Sequence, residues 1–121
     1  TKEAPVHQNV KDALVAASEL DTTLIMRSLR NTERVLKNDA VTSIQQKEKA
    51  LGDDIKIEDI LDEVAGVYPK IMTEGKMEEG AWSCGMVAGL IHDIPSCQEL
   101  IDGMVSEAEE IINSRLAKFI A

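Results

Sequence analysis

The run Ala81-Trp82-Ser83-Cys84-Gly85-Met86-Val87-Ala88-Gly89-Leu90-Ile91 carries no charge and is apolar nearly all round. A segment of that kind reads as a helix buried on every side. Its small residues (Ala81, Ser83, Gly85, Ala88 and Gly89) let another backbone or a ligand come close. On its N-terminal side, residues 76–80 form a polar connector. On its C-terminal side, Asp93-Ile94-Pro95 stops it, because proline cannot continue a helix. Ser96 then opens a last helix, with Glu99 three residues on completing a capping box. Leu100, Ile101, Met104, Val105, Ala108, Ile111, Ile112 and Leu116 line one side of it, to about Phe119.

The chain upstream is also largely helical in pattern. Val10, Leu14 and Ala17 recur at helical spacing through residues 7–18, after an extended lead-in over residues 1–6 that contains Pro5. Asp39 suits an N-cap for a helix to Leu51, which Gly52 ends. Ile57, Ile60, Leu61 and Val64 stand at i, i+3, i+4 and i+7, and Gly66 breaks the helix they predict. Residues 69–75 predict another short helix. Residues 22–38 read differently. Thr22-Thr23-Leu24-Ile25-Met26 has β character, Val35-Leu36 forms a second short apolar run, and Arg30-Asn31-Thr32 can turn between them. A small hairpin is the favoured reading, although Leu24, Ile25 and Leu29 fit a helix face equally well. The fold class expected is mainly α: an irregular helical bundle with a small β-hairpin, forming a single segment over residues 1–121.

Composition points the same way. Trp82, Tyr68 and Phe119 are the only aromatics among 121 residues, so Leu, Ile, Val, Met and Ala must build the core. Helix packing suits that palette better than a sandwich, where aromatic and β-branched residues are usual. The net charge of −9 argues against nucleic acid as a partner, because phosphate binding needs a basic patch, and disfavours an anionic membrane surface for the same reason. Two cysteines, Cys84 and Cys97, match no zinc spacing, and their scarcity suits a reduced, cytoplasmic setting.

Catalytic motifs are absent from the sequence. It contains no nucleophile elbow, no phosphate-binding glycine-rich loop and no His-Glu metal helix. His7 reads as a surface helix residue, and His92 as a cation at the C-terminal end of the buried helix. The acidic residues Asp53, Asp54, Glu58, Asp59, Asp62 and Glu63 do not follow an EF-hand spacing and read as a solvated face. Residues 80–86 are the most informative. Trp82, Ser83, Cys84 and Gly85 stand at an expected helix start, where free backbone N–H groups favour an anion such as phosphate. Close packing of a buried helix explains the same small residues. Cys84 has no base near it in sequence, which fits a packed thiol better than a nucleophile.

Several stretches in order carry a resemblance: residues 1–7, Thr-Lys-Glu-Ala-Pro-Val-His; residues 21–38, containing Asp21-Thr22-Thr23-Leu24-Ile25-Met26-Arg27-Ser28-Leu29-Arg30-Asn31-Thr32; and residues 80–95, ending Gly89-Leu90-Ile91-His92-Asp93-Ile94-Pro95, followed by Glu99-Leu100-Ile101. Together they resemble the C-terminal region of FMN-dependent nitronate monooxygenases, formerly called 2-nitropropane dioxygenases. The resemblance implies a TIM-barrel flavoenzyme of which this chain is the helical lid and terminal helix. It implies FMN as the cofactor of the intact enzyme and a small-molecule nitronate as substrate. Trp82, Ser83, Cys84 and Gly85 are the residues it places toward the flavin. The family's catalytic His and phosphate loops have no counterpart here, so no catalytic or metal-binding residue is expected, and the chain alone is expected to be inactive.

Two other readings stay open. Flavin-dependent enoyl-acyl-carrier-protein reductases and NAD(P)H:quinone reductases resemble the same pattern. A non-enzymatic acidic helical module is the third. The apolar faces of the last two segments would serve such a module for docking, or for self-association.

Overall fold

The computed structural model describes residues 1–119. It is mostly helical, with one two-stranded antiparallel sheet. Two compact units make up the chain: Pro5–His92, and Thr1–Ala4 together with the chain from Asp93.

In the larger unit, α1 spans Gln8–Ala16. His7 lies just before it and is its N-cap, with the ring Nδ1 accepting from the Asn9 N–H at 3.1 Å. This corrects the reading of His7 as a residue of the helix face. The same ring lies against Gly75, where a Cβ would fall 2.3 Å from Nδ1. Gly75 also has φ +71°, so two separate constraints demand glycine there. After α1, Ser18 opens a short 3₁₀ turn, Glu19–Asp21, closed by the Asp21 carboxylate. Hydrogen bonds from the Ser18 backbone and hydroxyl hold the Asp21 carboxyl below its ordinary range.

The hairpin forms as the β character of residues 22–26 suggested. Strand β1, Thr22–Ile25, pairs with β2, Glu33–Leu36, in the register Thr22↔Leu36 to Ile25↔Glu33. The connection needs two left-handed residues, Met26 and Arg30. Glu48 ties it down by accepting from the Arg27 N–H at 3.1 Å. The next helix, α2, is Asp39–Leu51. Its cap is Asn38, one residue before the Asp39 expected: Asn38 Oδ1 accepts from Val41 N–H at 2.8 Å. Asn38 has the extended backbone a cap needs, and Asp39 is already helical and adds negative charge to the first turn.

The helix expected over residues 57–64 is split into a 3₁₀ turn, Ile57–Ile60, and a single α-turn α3, Leu61–Val64. The final short helix of this unit, α4, is Tyr68–Met72, with Pro69 at its start. Most of the acidic residues of 53–63 are exposed. Glu63 is the exception. Burial would raise its carboxyl, but hydrogen bonds from Lys47 and Ser43 and the Lys47 charge together hold it below its ordinary value.

The largest correction concerns residues 81–91, which form no α-helix. Residues 81–85 run extended and a 3₁₀ turn follows at Met86–Leu90. The open edge of β2 explains why. Leu36 N–H donates to Trp82 O at 3.3 Å, Cys84 N–H donates to Arg34 O at 3.1 Å, and Ser83 bridges Val35. These strand-type bonds satisfy the backbone that a helix would have satisfied internally. His92 follows the 3₁₀ turn and is exposed, so it has no α-helix dipole to complement.

Two apolar clusters fill this unit. Ile25, Met26, Val35, Val41, Ile44, Ile55, Ile60 and Ala81 make one, and Val10, Val67, Ile71, Trp82, Cys84 and Ala88 make the other. Full burial of a single Ile or Val side chain contributes about 1.5–3 kcal/mol, so either cluster is a substantial part of the stability. The 81–84 stretch feeds both.

In the smaller unit, α5 spans Cys97–Ser114, with a 3₁₀ turn at Leu116–Phe119 in place of helix up to Phe119. The expected capping box is present: Ser96 Oγ accepts from Glu99 N–H at 3.2 Å, and Glu99 Oε2 accepts from Ser96 N–H at 2.6 Å. The Ser96 backbone bond, with Lys2 beside it, pulls the Glu99 carboxyl down to about 2. The side chains of the α5 apolar stripe are exposed, among them Ile101, Met104, Val105 and Ile112.

Candidate functional site

Residues 80–85 are held almost entirely by their backbone. Besides the two bonds to β2, Ala81 N–H donates to Glu63 O at 2.8 Å, and Asn38 Nδ2 donates to both Met77 O and Gly80 O at 2.8 Å. Extended geometry makes side chains alternate. Trp82 and Cys84 accordingly turn inward, 3% and 6% exposed, and Ser83 between them is exposed.

A cleft of about 340 Å³ opens along this stretch. Trp82, Ser83, Cys84 and Gly85 all line it, so the four residues singled out from the sequence share one cavity. Val6, Val10, Leu14, Met72, Val87, Ala88 and Ile91 complete the walls. The volume lies at the small end of ligand pockets, which are typically apolar with a few placed polar groups. Among the described residues, no Lys, Arg, Asp or Glu lines it. With no α-helix beginning here, the helix-terminus route to an anion site is lost. The cleft suits a flat or aliphatic neutral group, and it does not suit a phosphate.

Two residues beside the cleft carried no sequence signal. Tyr68 Oη lies 2.9 Å from Ser83 Oγ and accepts from Ser83 N–H at 3.2 Å. Ser83 Oγ in turn donates to Glu33 Oε1 in a short contact. Glu33, Tyr68 and Ser83 are far apart in sequence, and pairing of residues 81–85 with β2 is what brings them together.

Cys84 is a packed thiol. Burial pushes it above its ordinary value, and Sγ makes only a long contact of 3.7 Å to Gly85 O. Both factors disfavour the thiolate. Cys97 is exposed. A disulfide reagent such as DTNB is therefore expected to modify one thiol quickly in the native chain and the second only on unfolding. Rapid modification of two thiols per chain would contradict the packed placement of Cys84. Among the described residues, no group of His, Cys, Asp or Glu is arranged to hold a metal ion. No described helix is long and apolar enough to cross a membrane.

The sequence profile described as "Nitronate monooxygenase" matches residues 1–107. The chain belongs to the nitronate monooxygenase family. A solved structure of FabK from Thermotoga maritima superposes with a TM-score of 0.80 at 26% identity, over 94% of this chain and 35% of that one. A point mutant of the same Thermotoga maritima protein gives a TM-score of 0.73 at 24% identity, over 94% of this chain and 32% of that one. A curated relative, (3aS,4S,5R,7aS)-5-hydroxy-7a-methyl-1-oxo-octahydro-1H-indene-4-carboxyl-CoA dehydrogenase of Rhodococcus jostii (strain RHA1), is 40% identical over 43 residues, 36% of this chain and 12% of its own length. This nitronate monooxygenase family member thus spans about a third of the solved chains that it matches and about an eighth of the curated relative.

Proposed function

We propose that this chain is the helical wall of the flavin pocket in a longer, cytoplasmic FMN-dependent oxidoreductase, one that oxidises alkyl nitronates with O₂ to a carbonyl compound and nitrite. The observation that carries the reading is the apolar cleft lined by Trp82, Ser83, Cys84 and Gly85 in a chain matched over residues 1–107 by the family profile. FMN, when bound, supplies the redox chemistry. The residues here supply surroundings. Trp82 and the aliphatic walls exclude water from a flat ring, and Ser83 fixes a polar point at its edge. The cleft fits a ring system but has no cation for the phosphate, so the phosphate is assigned to residues beyond this chain. No residue here is assigned a catalytic role. The exposed stripe of α5 is assigned to packing within the longer protein. In the isolated chain that stripe would drive self-association.

A longer reading frame containing these residues is expected to purify yellow and to consume O₂ only when a nitronate is present. A colourless product would sink the flavin reading. A reductase on the same scaffold is the second reading, favoured by the superposition on FabK. NAD(P)H consumption without nitronate turnover would select it.

This chain alone is expected to bind FMN weakly, because nothing in the cleft holds the phosphate. A submicromolar dissociation constant from flavin fluorescence quenching would overturn that expectation.

A further inference from the structure

We propose that the His7 imidazole is a proton-sensitive clasp between two parts of the cleft wall, closed by the neutral ring and released by its cation. The proposal goes beyond the question of which ligand the cleft takes, and its test uses none.

His7 does not itself line the cleft, but the residues it joins do. Val6 and Val10 flank it in sequence and line one part of the wall, and Met72 at the end of α4 lines another. Two bonds connect these parts. His7 N–H donates to Met72 O at 2.6 Å, and Asn9 Nδ2 donates to Gly75 O at 2.9 Å. The imidazole secures both. Its Nδ1 accepts from Asn9 N–H at 3.1 Å, and the ring lies against Gly75 with no room for a Cβ between them. Only a ring unprotonated at Nδ1 can accept that bond.

Protonation undoes this in two ways. The imidazolium carries an N–H at Nδ1, aimed at the Asn9 N–H it had accepted from. It also sets a positive charge at the N-terminus of α1, where the helix dipole already presents its positive end. Nothing nearby compensates. The first turn of α1 contains no acidic residue. The charged side chains on the two joined elements are Lys11 and Asp12 in α1, and Lys70, Glu74 and Lys76 in or just after α4. Asp12 accepts from Gln8 at 2.8 Å, Glu74 pairs with Lys76 at 2.9 Å, and Lys70 lies 3.7 Å from Glu79. Among the described residues, no carboxylate pairs with His7. The unfolded chain takes up the proton without these losses, so the clasp is strongest in alkali and weakens as pH falls.

The test uses this chain labelled with ¹⁵N and carrying His92→Gln, which leaves His7 as its one histidine. Amide hydrogen exchange is measured at about pH 8 and about pH 5, the span over which histidines change charge. Each rate is expressed as protection relative to an unfolded peptide at the same pH. Protection of the His7 and Val10 amides is expected to fall about fivefold toward acid, the usual worth of a capping acceptor. The indole N–H resonance of Trp82, which lines the same cleft, should shift in step with the His7 ring Cε1–H. His7→Asn keeps a capping oxygen that takes up no proton, so its protection should hold within about twofold across the span. His7→Ala should be poorly protected at both values. A fall that persists in His7→Asn overturns the proposal, because another group is then titrating. So does protection that does not change with pH before His7 is replaced, or a Trp82 resonance that ignores the His7 titration. If His7→Ala does not fold, His7→Asn against its parent decides alone. Because no flavin is used, the outcome is independent of whether the longer protein proves yellow.

Discussion

Gly80→Ala is expected to destabilise the chain by about 1–3 kcal/mol, the usual range for forcing atoms into a packed core. An alanine Cβ at this position would lie 2.3 Å from Val67 Cβ and 2.7 Å from both of its γ-carbons. Val67 is 1% exposed and belongs to the same apolar cluster as Trp82, so it has nowhere to retreat. The backbone at residue 80 cannot retreat easily either, because Gly80 O accepts from Asn38 and the next N–H is bonded to Glu63 O. Urea unfolding followed by Trp82 fluorescence measures the loss. Gly103→Ala is the control, since nothing lies within 4 Å of a Cβ there and the residue sits inside α5. It is expected to be neutral or to stabilise by up to ~1 kcal/mol, the helix-propensity difference. Equal effects from the two substitutions would remove the close-approach explanation.

Asn38→Ala carries the second large effect, an expected loss of about 2–4 kcal/mol. One side chain does three things. It caps α2 through Val41 N–H, which is worth about 1 kcal/mol alone. Its amide also donates to Met77 O and Gly80 O, and each carbonyl left without a partner costs about 1–3 kcal/mol to the extent that water cannot replace the bond. Asn38→Asp separates the two contributions. It keeps an excellent cap and loses both donated bonds, so it should retain part of the stability while loosening residues 77–80. Hydrogen exchange at the Ala81 and Cys84 amides reads that loosening. If Asn38→Asp is as stable as the unsubstituted chain, the connector does not depend on Asn38.

The helices α1, α2 and α5 were legible in the sequence, whereas residues 57–64, with equally clean periodicity and Gly66 as a stop, form only a 3₁₀ turn and one α-turn. The start of α5 was local, because Ser96 and Glu99 carry its cap within four residues. The hairpin was legible from the β character of Thr22 to Met26, although a helix competed for it on periodicity alone. Residues 81–91 were misread for a physical reason. An uncharged run with apolar residues on every side satisfies the burial demand of a buried helix and of a covered strand alike. The deciding fact is the vacant edge of β2, which lies some fifty residues earlier in the chain and leaves no mark on the segment itself. The cap of α2 was misplaced by one residue because Asn38 and Asp39 both carry a competent side chain, and only the backbone at Asn38 distinguishes them. Trp82, Ser83, Cys84 and Gly85 stood out in the sequence because small and aromatic residues stand together there, and the structure brings the four to one cleft. Glu33 and Tyr68 were invisible, since an isolated Glu opening a strand and an isolated Tyr opening a helix resemble many others.

The attachment of residues 81–85 through main-chain atoms has a consequence for how this surface diversifies. The amides of Ala81 and Cys84 and the carbonyl of Trp82 fix the position of the stretch, and every amino acid except proline carries those same atoms. Placement and chemistry are therefore separately inherited. A descendant can exchange the outward-facing side chain at position 83 while the scaffold that presents it stays in register. Relatives with divergent sequences and different reactions are the expected product of such an arrangement.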